Sequence, residues 1–246
     1  MEMSNETGSF RFRRLGPGLL HCLREHRFRG RVVVTDVSGP FWLLALASVD
    51  EGNVAVVRGN DRLAVSADRY GVLLPPYAIV QWEFLALRQR CEILISDIAL
   101  PGLQPHEPIL FAAPDSPFPT SIRSAAAFMR GARDVMPIGR CPRPSPVSRR
   151  AKAALDAGFH RNESIATLAA KIGVSHAALT RGFRRDLGIA PAKYRSAVRV
   201  IAAALSLLRG EEIAETAFRV GFGDLGRFYK QFRSRTGATP ARYRVR

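Results

Sequence analysis

Twice in the last hundred residues of this 246-residue chain, cationic side chains stand at the same places in the same pattern. Arg181 and Arg184 are answered 49 positions later by Lys230 and Arg233. Leu179, Phe183, Gly188, Pro191, Tyr194 and Arg195 are answered at the same offset by Phe228, Phe232, Gly237, Pro240, Tyr243 and Arg244. Just ahead of these, Ile165-Ala166-Thr167-Leu168-Ala169-Ala170-Lys171-Ile172-Gly173-Val174 returns 48 positions later as Ile213-Ala214-Glu215-Thr216-Ala217-Phe218-Arg219-Val220-Gly221-Phe222. A supersecondary unit that recurs with its charges in register is equipment for holding an extended anion. Bond-making chemistry has no comparable signal: no paired carboxylates and no Ser/His/Asp grouping stand at a legible spacing. The pattern therefore predicts a binding protein, not an enzyme, and calls for no cofactor. Cys22, Cys91 and Cys141 are odd in number and far apart, as expected of reduced thiols rather than ligands or staples.

The repeat has the grammar of a helix-turn-helix. Ile165, Leu168, Ala169 and Ile172 fall at i, i+3, i+4 and i+7, one apolar stripe of a helix. Gly173 follows, where a left-handed C-cap needs a residue without Cβ. Ala169 is small where two helices must cross closely. Ser175 suits the N-cap of the next helix, which Leu179 and Phe183 anchor to the first. The second copy keeps Ile213, Ala217 and Val220, with Gly221 at the turn and Asp224 as cap. Thr216 weakens its stripe, and Gly226 lowers helix propensity just beyond. Two amphipathic hairpins packed in a bundle would share part of this pattern, but two aligned copies, each followed by a basic helix, favour the helix-turn-helix.

Charge points the same way. The chain carries 37 Lys and Arg against 21 Asp and Glu, a net +16. Residues 146–246 hold 20 of the basic and 7 of the acidic residues, net +13, leaving +3 for the remainder. Such a concentration is the footprint of a polyanion, because each phosphate neutralised releases counterions. A general single-strand or RNA binder would instead interleave aromatic platforms with the basic residues and lack helix caps. No run approaches the ~20 apolar residues of a membrane span, and Met1-Glu2-Met3-Ser4-Asn5-Glu6 lacks the look of a signal peptide. A cytoplasmic protein without a membrane partner is expected.

The elements that position these helices fall into two domains, an α+β protein overall. Gly139-Arg140-Cys141-Pro142-Arg143-Pro144-Ser145-Pro146 packs three prolines into five positions, a spacer rather than core. It divides residues 1–138 from an all-α region, 147–246, whose tandem motifs span 165–186 and 213–236. Before it, short β-branched runs alternate with Gly, Asp and Asn: Arg31 to Val37, Phe41 to Leu46, Asn53 to Val57, Arg62 to Val65, Tyr70 to Leu74, Val80 to Phe84 and Cys91 to Ile95. They predict an all-β sandwich or barrel, with a hairpin turn at Gly59-Asn60-Asp61 and a strand end at Pro75-Pro76. Between sheet and spacer, over 119–136, Ile122, Ala125, Met129, Ala132 and Met136 step by 3, 4, 3 and 4. This seam reads either as one helix packed on its own β domain or as a helix joining two chains into a homodimer, whose symmetry would match paired half-sites.

The segment from Ile165 to Arg244 resembles the AraC/XylS family of bacterial transcription regulators. The family pattern I-A-x-x-A-x-x-x-G-F, F-x-x-x-F-[KR], G-x-x-P-x-x-[YF]-R stands here as Ile213-Ala214, Ala217, Gly221-Phe222, Phe228, Phe232-Arg233, Gly237, Pro240 and Tyr243-Arg244. The resemblance covers about 100 of the 246 residues. Gly223 and Gly226 depart from it, standing where the family commonly has polar residues. The resemblance implies two helix-turn-helix units, joined by a rigid helix from Pro191 to Leu208, reading double-stranded DNA in successive major-groove segments. The base readers it implies are His176, Ala177, Thr180 and Arg181 in the first unit, and Leu225, Arg227 and Lys230 in the second. Arg181 is suited to a bidentate contact with guanine, and Ala177 to a thymine methyl. Arg184, Arg185, Arg233 and Arg235 would follow phosphates, and Phe183, Phe228 and Phe232 fall at core spacing. Activation is the commoner outcome in the family, which implies a contact with RNA polymerase.

The strand series ahead of the spacer is similar to the cupin-like β-barrel that often precedes this module and senses a small-molecule effector or sets dimerisation. Metal-binding cupins cluster histidines where this chain has Ile79 and Val80, and its own five (His21, His26, His106, His160, His176) are scattered, so no metal is expected. Trp42, Trp82 and Phe84 are candidates for an apolar effector pocket; the alternative is plain core.

Overall fold

In a computed structural model of the chain, residues 2–5, 8–139 and 143–244 are described. Arg140, Cys141 and Pro142, at the heart of the expected spacer, lie outside them. The chain divides into two units, Met1–Gly139 and Arg140–Arg246.

The first unit is an antiparallel sheet. Its strands are β1 (Glu2–Asn5), β2 (Gly8–Gly16), β3 (Leu19–Arg27), β4 (Arg31–Val37), β5 (Trp42–Arg58), β6 (Asp61–Val65), β7 (Arg69–Leu74), β8 (Ile79–Ser96), β9 (Ile109–Ala112) and β10 (Arg133–Pro137). They run in the order β1-β2-β3-β8-β5-β7-β9-β10, with β4 also paired to β8 and β6 to β5. The two long strands are the spine, and each merges two of the expected short ones. Asp50 to Asn53 suggests a turn, but the chain makes bulges there: the register shifts between Val49 and Glu51 and again between Glu51 and Asn53. Gly52 takes a left-handed φ of +88, and a Cβ on it would meet the Ala86 carbonyl oxygen at 2.4 Å. Ala86, on the facing strand, is itself left-handed at φ 47. Two opposed irregularities bend both strands together without ending either. The expected hairpin turn is present, closing β5 on β6 with Arg58 opposite Asp61, and β7 stops at Leu74 before the two prolines.

Each face of the bent sheet carries its own core. Val54, Val56, Tyr70, Val72, Trp82, Phe84 and Cys91 make one. Leu44, Leu46, Leu73, Leu94 and Phe111 make the other, covered by Ala125, Phe128 and Met129 of helix α1 (Ile122–Arg130). This corrects two expectations. The seam of Ile122, Ala125, Met129, Ala132 and Met136 is not one helix. A Ser121–Ser124 capping box starts α1, Gly131 ends it, and the chain then enters β10 to pair with β9. Ala125 and Met129 are spent on the domain's own core, Ile122 and Ala132 pack against it, and Met136 sits on a strand. The apolar side that a dimer helix would offer is already covered. The aromatic trio also separates: Trp82 stacks on Phe84 with centroids 6.4 Å apart in one core, while Trp42 packs against the other. Among the described residues, a cleft of about 910 Å³ in this domain is polar, with Ser9, Glu25, His26, Ser48, Arg88 and Gln89 among its walls.

Cys22 and Cys91 are free and buried, and burial pushes both thiols up to about 12, which suits inert rather than reactive cysteines. Among the described residues no group of three or more His, Cys, Asp and Glu is arranged to hold a metal ion, and no helix is long and apolar enough to cross a membrane.

The second unit is helical: α2 (Pro146–Ala157), α3 (Ile165–Ile172), α4 (His176–Leu187), α5 (Pro191–Leu208), α6 (Ile213–Arg219), α7 (Leu225–Thr236) and α8 (Pro240–Tyr243). Leu179, Phe183, Tyr194, Phe228 and Phe232 are fully buried at its centre. Aromatic contacts tie the helices together, Phe183 to Tyr194 at 5.9 Å and Phe232 to Tyr243 at 5.0 Å between centroids. The three phenylalanines expected in the core are there, unavailable for stacking on bases.

Candidate nucleic-acid interface

Local chemistry sets the two reading helices. At the end of α3, Gly173 adopts φ +82 and its N–H closes the helix on Ala169 and Ala170. Two residues later the Ser175 hydroxyl accepts the Ala178 N–H at 3.2 Å and starts α4. In the second unit Gly221 stands at φ +97 after α6, and the Asp224 carboxylate accepts the Arg227 N–H at 2.6 Å to start α7. Each cap satisfies a donor that a helix start leaves orphaned. Gly188 and Gly237, at φ 73 and 74, end the two helices identically.

With Leu179, Phe183 and Leu187 turned inward, helical geometry sends Ala177, Arg181, Arg184 and Arg185 outward, and all four are exposed. His176 is exposed at the first turn. Thr180 is half-buried, and its hydroxyl oxygen is buried without a hydrogen-bond partner. As it stands it offers no hydroxyl to a base. On α7, Phe228 and Phe232 point inward, and Leu225, Arg227, Lys230, Arg233 and Arg235 are exposed. Arg185 is paired, its Nε lying 2.9 Å from Asp186. The offset of 49 places Gly226 and Tyr229 where the first unit has Ala177 and Thr180. Tyr229, exposed, was missed in the sequence, although the same offset identifies it.

Arg227 lies instead on the opposite flank of α7. It is close enough to Arg195 and Arg199 of α5 that its charge disfavours theirs, burial being the larger effect for both; Arg199 falls to about 10. Arg195 also feels the opposite charge of Glu163, which acts against that effect.

Helix α5 also fixes one helix-turn-helix against the other, within the helical domain. Arg199 donates from Nε to the Phe159 carbonyl at 2.6 Å and from Nη2 to the Arg161 carbonyl at 2.7 Å, both in the segment leading into the first unit. Its guanidinium carbon lies 5.8 Å from the ring centre of Phe222, in the turn of the second. Arg195 donates to the Glu163 carbonyl, and Ser196 to the Gln231 side chain on α7. Gly221 is needed twice over, since a Cβ there would stand 2.2 Å from the His160 carbonyl oxygen as well as requiring a left-handed backbone. Its spacing alone signals the turn but not this close approach.

At the other end of α4, Asp186 accepts from the Ser145 N–H at 3.0 Å, the Ser145 hydroxyl at 2.6 Å and the Ser148 hydroxyl at 2.8 Å. Burial acts to raise its pKa, but these hydrogen bonds and Arg185 outweigh it and hold the carboxyl down at about 2. The N-cap of α2 is thereby fastened to the last turn of α4.

Two short capped helices on a phenylalanine core, repeated and each presenting cations outward, define a tandem helix-turn-helix domain of the DNA-binding class. Residues 168–246 match the family model described as a helix-turn-helix domain. The carboxyl-terminal region thus carries a helix-turn-helix domain of the AraC type. Among solved structures, the C-terminal domain of AraT, a response regulator from Geobacillus stearothermophilus, is 31% identical, with 42% of this chain and 86% of that chain covered and a TM-score of 0.40. A probable AraC family transcriptional regulator from Rhodopseudomonas palustris is 27% identical over 41% of this chain and 100% of that chain, with a TM-score of 0.37. The DNA-binding domain of AdpA, solved with a target DNA, is 29% identical over 40% and 89%, again with a TM-score of 0.37. No curated protein matches the chain.

Proposed function

We propose that this chain is a sequence-specific, double-strand DNA-binding transcription regulator, acting as an activator in the cytoplasm. The observation that carries this reading is the outward ridge of α4, where Ala177, Arg181 and Arg184 are exposed on a helix whose opposite side is sealed by Leu179 and Phe183. A guanidinium held there reaches base edges once the helix enters a major groove, and the bidentate match of Arg181 to guanine O6 and N7 supplies discrimination. Arg184, Arg185, Arg233 and Arg235 follow phosphates and set register. Because α5 joins the units rigidly, both helices meet successive major-groove segments about one helical turn apart. The β domain is a cupin-like module that pairs two chains and takes a small-molecule effector. Its polar cleft of about 910 Å³, rather than the separated aromatic trio, is the place for such a ligand. Activation proceeds through contact with RNA polymerase.

Binding to selected duplexes tests the reading. Arg181→Ala should relax the preference at one base position, costing on the order of 10- to 100-fold on the cognate site and little on sites altered at that position. A uniform loss on every sequence would show Arg181 to be a phosphate contact.

A further inference from the structure

The two reading helices differ in chemistry. Beside its arginine ridge α4 carries His176 and Thr180; at the same register α7 carries Leu225 and Tyr229. Leu225 is 38% and Tyr229 39% exposed, and among the described residues α4 has no large exposed hydrophobic side chain. The two stand four residues apart on one helix, so they are neighbours on one flank, on the side away from Arg227. Beside them, on the ridge, is Gly226, where an added Cβ would meet only the Asp224 Oδ1 atom, at 3.4 Å. Backbone without a side chain lets a base edge come close. Within a major groove, the apolar feature that an aliphatic or aromatic side chain can meet on a base edge is the 5-methyl group of thymine; the other bases present donors and acceptors.

We propose that Leu225 and Tyr229 form an apolar shelf that reads thymine 5-methyl groups in the box under α7, whereas α4 reads its box chiefly by hydrogen bonding. The shelf rests on the reading of the domain as sequence-specific. It makes Tyr229 a specificity determinant and gives the second box a preference for T·A pairs that does not depend on a hydrogen bond from Lys230.

Deoxyuridine differs from thymidine by that methyl alone, so the test needs no change to the protein. Sites are selected by the full-length chain from random duplexes, and the box under α7 is identified by its response to Lys230→Ala. Each thymine in either box is then replaced by deoxyuridine and binding is titrated by fluorescence anisotropy. The affinity is expected to fall about fourfold per contacted methyl in the α7 box. Leu225→Ala and Tyr229→Ser should each draw this thymine-to-uracil ratio toward one and leave the α4 box as it was. A ratio of one in the parent chain overturns the shelf, as does a ratio untouched by both variants, or a second box without a preferred T·A pair. A selection that returns no shared motif refutes the sequence-specific reading itself. A motif whose second box is indifferent to uracil refutes only the shelf.

Discussion

His26 is a buried ionisable side chain of the β domain. It is 5% exposed, with the rings of Phe28 and Phe84 at 5.5 and 6.3 Å between centroids. Its Nδ1 lies 3.2 Å from the Gln89 amide nitrogen, whose carbonyl oxygen accepts from the Tyr70 hydroxyl at 3.2 Å. With the Gln89 amide in this orientation the imidazole accepts its proton and is neutral, and its Nε2 has no partner. Burial, reinforced by the Arg24 charge, pushes its pKa down to about 2. The unfolded chain takes up this proton near pH 6.5 while the folded one refuses it, so stability is complete above 6.5 and falls as the pH drops toward 2. The slope is about 1.4 kcal/mol per pH unit within that window. Chemical denaturation at pH 7 and pH 5.5 should show the parent losing about 1 kcal/mol more than His26→Gln; equal losses would mean the ring is solvated. None of this could be read in the sequence, where His26 is one of five scattered histidines. Its burial comes from pairing opposite Gln89 on a strand 63 positions away.

At the scale of elements, what is local was legible and what is not was misjudged. Ser175, Asp224, Gly173 and the apolar stripes act within one turn of chain, and each stands where its spacing places it. Asp50 to Asn53 carries the residues of a turn, but the same residues make bulges when a facing strand is present to be paired, as β8 is. The 3–4 stepping from Ile122 to Met136 reads as one helix because periodicity does not register that β9 lies waiting for Arg133 to Pro137. Thr180 faces inward and Arg199 bridges two units through contacts that no single-sequence pattern encodes. Gly221 allows the clearest test. Gly221→Ala combines a left-handed backbone with a Cβ driven into the His160 carbonyl, and should cost the helical domain more than the ~1 kcal/mol of an ordinary left-handed substitution. Gly223→Ala, which meets nothing within 4 Å, should be near neutral. The two melting temperatures decide the matter; parity between them would show that neither the left-handed turn nor the close approach requires the glycine.

For the whole molecule, the concentration of charge in 146–246, net +13, fixes how binding responds to its medium. With roughly 6–10 phosphates engaged, affinity for DNA should fall by about 10³- to 10⁵-fold between 50 and 200 mM salt. A shallow slope in an anisotropy titration would mean that most of these cations never reach the backbone. The β domain, near neutral at +3, adds little to that slope. The fastening of Ser145 and Ser148 to Asp186 has a further effect. The chain leaving the spacer is moored, at the first cap of the helical domain, to the final turn of the helix that carries Arg181. A pull or a slackening in residues 143 and 144 therefore arrives at that helix before it can reach α7. The second reader is reached less directly, through α5 and through the approach of the His160 carbonyl to Gly221.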